Sequence, residues 1–97
     1  MSVQRNEVII DSSCARDIRQ LPGDAQEKLA GLLDILAVDP FDPLLHTKPL
    51  SVPLQGMFSF RITRGYRVGF KFREAHVIQL LAAGPRDTIY ERLRRKS

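Results

Sequence analysis

From Met57 to Phe72 the chain alternates. Phe58, Phe60 and Ile62 fall on one parity and Ser59, Arg61 and Thr63 on the other; past Arg64-Gly65, the residues Tyr66, Val68, Phe70 and Phe72 alternate with Arg67, Gly69, Lys71 and Arg73. A period of two belongs to strands with one apolar face, so this segment reads as a β-hairpin. Residues directly opposed in an antiparallel pair share a face. A two-residue loop at Arg64-Gly65 would set Ile62 against Arg67 and mix the faces. A three-residue loop, Thr63-Arg64-Gly65, keeps Ile62 against Tyr66, Phe60 against Val68 and Phe58 against Phe70, and it predicts a left-handed Gly65 in a turn plus bulge. That register also places Arg61 opposite Arg67.

The rest of the chain must cover this apolar face. Glu7 to Ile10 reads as a first strand, followed by Asp11-Ser12-Ser13 as N-cap candidates for a helix over about 13–20. Leu21-Pro22-Gly23 interrupts it. In the next segment Ala25, Leu29, Leu32, Leu33 and Leu36 recur at three and four residues, which predicts a second helix from Pro22 or Gly23 to Val38, with Asp24 and Glu27 near its positive end. Residues 39–56 contain Pro40, Pro43, Pro49 and Pro53 and read as a long extended connection with room for one short strand segment. His76 to Ala83 is an apolar run that reads as a buried central strand, closed by Gly84-Pro85. Arg86 to Lys96 offers one or two helical turns, with Arg86, Tyr90 and Leu93 along one side. The expected architecture is α+β: an N-terminal strand and a helical hairpin packed on a mainly antiparallel four-stranded sheet, then a short C-terminal helix. With 97 residues, the chain reads as one domain, 1–97.

The net charge of +4 hides an asymmetry. Residues 1–48 hold five basic and eight acidic side chains, a balance of −3, whereas residues 49–97 hold ten and three, a balance of +7. Such a division points the second half toward a polyanion. Like charges opposed on a sheet cost about 0.2–1 kcal/mol, so the Arg61–Arg67 pair asks for a compensating anion. A phosphate fits the planar donor forks of two arginines, with Lys71 and Arg73 extending the same face. The alternative is a solvated sheet face with splayed arginines. Arg86 and Tyr90 together suit a phosphate and a stacked base. Equally, Arg86 is placed to pair with Asp87 and Tyr90 to cover the core.

Cys14 stands alone, so an intramolecular disulfide is ruled out and a reducing, cytoplasmic compartment is expected, with the thiol packed and idle. The N-terminal apolar run is too short for a signal-peptide core, and no stretch is long enough for a membrane span. His46, His76 and Cys14 lack metal-site spacing, and no cofactor or metal is expected.

The runs Lys48-Pro49-Leu50, Leu54-Gln55-Gly56, Phe60-Arg61-Ile62, Tyr66-Arg67-Val68 and Gly84-Pro85-Arg86-Asp87-Thr88-Ile89-Tyr90 closely resemble the RelE/ParE toxin superfamily of type II toxin–antitoxin modules, most of all its RelE and YoeB branch. The resemblance implies a ribosome-dependent messenger-RNA endonuclease that inhibits translation and is held inactive by a cognate antitoxin. It also implies metal-free cleavage by the ribose 2′-OH. By position it casts Arg67 and Arg86 as catalytic cations, Tyr90 as the aromatic that stacks on or orients the substrate base, and Arg61 as a basic strand position. Lys48 takes the place of the YoeB branch's catalytic glutamate, with His46 close by. Arg61, His46, Lys71 and Arg73 are the expected RNA contacts. The chain departs from its relatives at Ser59, where the RelE branch has a lysine, and at Pro85, where many members have a histidine. Two alternatives stay open: a ParE-like inhibitor of DNA gyrase, and a toxin-like RNA- or antitoxin-binding module that cleaves weakly or not at all.

Overall fold

A computed structural model describes residues 5–96. The elements run β1 (Glu7–Ile10), α1 (Ser12–Arg19), α2 (Gly23–Val38), a 3₁₀ turn (Pro43–Leu45), β2 (Lys48–Pro49), β3 (Met57–Thr63), β4 (Tyr66–Glu74), β5 (Val77–Pro85) and α3 (Ile89–Arg94). The strands form one sheet in the order β1-β5-β4-β3-β2, with β1 parallel to β5 and the other neighbours antiparallel. The α+β architecture is therefore as expected, except that the sheet has five strands. The fifth is β2, a two-residue edge inside the proline-rich connection, paired through Lys48 to Ser59 and Pro49 to Phe58.

The alternating face of the hairpin is buried beneath the helices. Phe60, Ile62, Val68 and Phe70 pack with Ala25, Leu29, Leu32 and Leu36 of α2, and Leu33 lies at the margin of that cluster. Each fully buried leucine or phenylalanine side chain contributes about 1.5–3 kcal/mol, so this face dominates the core. Against expectation, Thr63 pairs with Tyr66 across a two-residue Arg64-Gly65 loop. A register shift between Arg61 and Thr63 absorbs the mismatch at Ile62, so Phe60 still meets Val68 and Arg61 still meets Arg67. Gly65 is not left-handed; among the glycines only Gly56 has a positive φ, 91°. A bulge at Ile62, just before the loop, thus keeps the parity.

A second bulge lets β5 serve both faces. Gly69 pairs with Ala82 and Phe70 with Leu80, leaving Leu81 as the extra residue. Leu81 and Ala82 accordingly join Leu54, Met57, Ile89 and Leu93 in a smaller cluster under α3. Leu93 sits directly over Gly69, where an added Cβ would lie 2.5 Å from its methyl groups.

Polar contacts pin α3 and the residues after it. Arg92 donates to Asp17 Oδ1 at 3.0 Å and to the Ala83 carbonyl at 3.2 Å, while Asp17 Oδ2 accepts from the Ala83 N–H at 3.1 Å. Lys96 donates to Ser13 Oγ at 2.6 Å and to the Leu81 carbonyl. Asp11 occupies the N-cap of α1 without a side-chain cap; its carboxylate accepts from Gln79 instead, at 2.6 Å. Two further expectations shift. Strand β5 continues through Gly84-Pro85, and Arg86 precedes α3 rather than lying on it.

Candidate functional site

The sheet face that carries α3 also carries the odd-parity residues of the hairpin. Arg67 lies between Arg61 on β3 and Gly84 on β5. After β5 the backbone turns at once: the Thr88 N–H bonds the Pro85 carbonyl at 3.0 Å, and the Arg86 N–H reaches the Gly65 carbonyl at 2.9 Å. This pair of bonds ties the start of α3 to the hairpin tip. Ile89 then buries its side chain completely, which leaves Tyr90, the next residue, half-buried at the rim. Lys48 arrives from the opposite side on β2.

The result is a cleft of about 260 Å³ lined by Lys48, Arg67, Arg86, Asp87 and Tyr90. Four of these were singled out from the sequence, and three segments far apart in the chain supply them. A neighbouring groove of about 430 Å³ shares Lys48 and Tyr90 and is otherwise walled mainly by the apolar loop Leu50 to Leu54. A cationic pocket opening onto an apolar groove with a shared tyrosine offers the two surfaces a nucleotide needs, one for phosphate and one for base.

Three cations and one carboxylate meet in the cleft. Arg86 Nε lies 3.8 Å from Asp87 Oδ1, with side chains 57% and 89% exposed, so water screens the pair and its worth is small. In the sequence, Asp87 stands out only as a partner for Arg86. Its place in the lining had no signal beyond that adjacency.

Arg61 is turned to a different task. It is absent from the cleft lining and donates to His46 Nε2 at 2.8 Å. A guanidinium has no acceptor, so His46 Nε2 must accept and Nδ1 must carry the proton. In this contact His46 anchors the Arg61 guanidinium. The backbone holds it there: His46 is left-handed (φ 51°), beside the fully buried Leu45 and next to Thr47, whose hydroxyl donates to the Pro40 carbonyl at 2.6 Å. Lys71 sits opposite Met57, four residues along β4 from Arg67, and Arg73 lies further out, so neither reaches the cleft.

No protein-family profile matches the chain, and no curated protein matches it in sequence. Its likeness to known proteins is structural. A YoeB/ParE toxin from Agrobacterium tumefaciens superposes over 81% of this chain and 96% of its own, with a TM-score of 0.70 at 19% identity. A chain of the RelBE2 toxin–antitoxin complex from Mycobacterium tuberculosis covers 84% of this chain and 99% of its own, with a TM-score of 0.64 at 25% identity. The archaeal RelE–RelB complex from Pyrococcus horikoshii OT3 matches 84% and 94%, with a TM-score of 0.69 at 22% identity. The chain has the fold of the RelE/ParE toxins.

Within the RelE/ParE fold, the departures expected from sequence now have places. Pro85 is exposed at the end of β5, where its carbonyl accepts from the Thr88 N–H in the turn that presents Arg86 and Asp87. Ser59 is fully buried beneath the α3 side of the sheet, with no hydrogen-bond partner for its hydroxyl. Its small side chain sits between Lys48 and Gly69 in adjacent strands. Among the described residues, no group of three or more His, Cys, Asp or Glu side chains is arranged to hold a metal ion, and no helix is long and apolar enough to cross a membrane.

Proposed function

We propose that this protein is the toxin of a type II toxin–antitoxin module and that it acts as a ribosome-dependent messenger-RNA endonuclease. The convergence of Arg67, Arg86, Lys48 and Tyr90 on one cleft carries this reading. In-line cleavage by a 2′-OH passes through a pentacoordinate phosphate with extra negative charge, and fixed cations around that charge are the most effective help a protein gives it. Arg67 and Arg86 clamp the phosphate, and Lys48 adds a third positive charge from β2. Tyr90 stacks on or orients the adjacent base, and the Leu50–Leu54 groove receives the apolar part of that nucleotide. Arg61, held by His46, reinforces the positive field from the neighbouring strand. Outside the cleft, Lys71 and Arg73 lie where longer RNA or ribosomal RNA would pass, as a less specific contribution.

Two of the neighbours described above were solved as complexes with antitoxins, which supports an antitoxin partner for this chain. Such a partner silences the toxin by covering the cleft or by holding it away from the ribosome. Attack by the 2′-OH with departure of the 5′-oxygen leaves a 2′,3′-cyclic phosphate upstream and a 5′-hydroxyl downstream. Induced expression of the parent protein should therefore arrest growth, whereas Arg67→Ala and Arg86→Ala should permit growth while melting within a few degrees of the parent. Full growth arrest by both folded variants would remove the cleft from the mechanism. Growth arrest accompanied by gyrase inhibition and intact messenger RNA would replace it with the ParE-type reading.

A further inference from the structure

A site that binds phosphate has an electrostatic reason to exclude carboxylates, yet Asp87 lines the cleft beside Lys48, Arg67 and Arg86. Structural need does not account for it. Its side chain is 89% exposed, and its single contact is the 3.8 Å approach to Arg86, too screened to hold the turn together. Nor does it serve α3, whose N-cap is Thr88 and which has no side-chain cap hydrogen bond. Against a phosphodiester, then, Asp87 costs affinity, and neither a hydrogen bond nor a helix cap ties its side chain to the fold.

Chemistry supplies a reason. Of the groups lining the cleft, Lys48, Arg67 and Arg86 are cations without a lone pair to offer, and Tyr90 is a phenol. Asp87 alone presents an acceptor that takes a proton in its ordinary charged form. His46, the other candidate near Lys48, has its Nε2 lone pair committed to Arg61. Resting on the endonuclease reading above, we infer that Asp87 is the general base of the cleavage step. Its carboxylate takes the proton of the ribose 2′-OH as O2′ attacks phosphorus. The P–O2′ bond forms, the P–O5′ bond breaks, and the departing 5′-oxygen takes a proton from water at the open mouth of the cleft. The adjacent Arg86 then faces both the base and the phosphate, so that one turn of backbone positions two groups of the reaction. Lys48, which stands in the place of the YoeB branch's catalytic glutamate, then serves the cleft as a cation.

The assignment makes opposite predictions for binding and for rate. In Asp87→Asn the cleft loses a negative charge but keeps its shape, so RNA should bind more tightly while cleavage slows. The test is single-turnover cleavage of messenger RNA programmed on ribosomes at saturating protein, paired with the affinity of the same programmed ribosomes carrying a 2′-deoxy nucleotide at the cleavage position. Loss of a general base typically costs about 10²–10⁴-fold. Cleavage should thus fall more than tenfold while the dissociation constant stays equal or drops. Cleavage within tenfold of the parent would overturn the assignment. So would lost cleavage accompanied by weakened binding, which would make Asp87 part of the cleft's framework. If the parent protein itself leaves messenger RNA intact, it is the endonuclease reading that fails, and the affinity measurement still reports whether Asp87 opposes RNA.

Discussion

Burial pushes the Cys14 thiol up to about 12 from an ordinary 9.0, with Asp17 and Asp11 acting in the same direction and Lys96 against them. The side chain is fully enclosed in the main core. A thiol reacts as its thiolate, so Cys14 is inert at neutral pH. Iodoacetamide at about pH 8 should leave the native protein unlabelled and should label it promptly in guanidinium; rapid native labelling would contradict the packing. The same shift fixes a sign for stability. Between about pH 9 and 12 the unfolded thiol loses its proton while the native one keeps it, so stability falls as pH rises, by at most about 1.4 kcal/mol per pH unit. Urea melts at about pH 8 and pH 10.5 should show a smaller decline for Cys14→Ala than for the parent. A packed, idle thiol was legible in the sequence, whereas Asp87 was not. Beside Arg86 it reads as half of an ion pair, and only the turn at Pro85–Thr88 brings it against residues 48 and 67.

The elements were legible to the extent that their periodicity was strong. Gly23–Val38 and the hairpin follow from period and parity, because one face of each is buried without interruption. What alternation cannot reveal is where a bulge sits. The hairpin keeps Arg61 opposite Arg67 by shifting register at Ile62, and β5 feeds two cores by inserting Leu81. Strand β2, with two residues and two prolines nearby, carries no periodic signal at all, although it delivers Lys48. Gly69 marks the most demanding packing between elements. Since a Cβ there meets the buried Leu93, Gly69→Ala should force α3 outward and cost about 1–3 kcal/mol of stability. Because α3 carries Tyr90, the same variant should also lose activity beyond what its stability predicts. Unfolding midpoints in urea with an unchanged slope check the first effect, and an undiminished midpoint would show that Leu93 can move aside without cost.

At the scale of the molecule, the fold's contribution is convergence. The edge strand brings Lys48, the hairpin brings Arg67, and the turn after the central strand brings Arg86, Asp87 and Tyr90, into a cleft of about 260 Å³. The sequence's charge asymmetry pointed to this half of the chain without saying which of its ten basic residues would meet. Of those ten, only Arg67 and Arg86 line the cleft; the third cation there, Lys48, comes from the acidic half. Arg92 and Lys96 instead hold α3 and its following residues against α1 and β5. Structures with 19–25% identity share this architecture, so the fold tolerates wide change outside its packed faces. The activity proposed for this cleft is cleavage of messenger RNA on the ribosome. Mapping messenger-RNA 5′ ends in a translating extract tests it most directly: the parent protein should create new ends bearing a 5′-hydroxyl within the reading frame, absent with Arg67→Ala or Arg86→Ala. Intact messenger RNA at a protein level that arrests growth would contradict it.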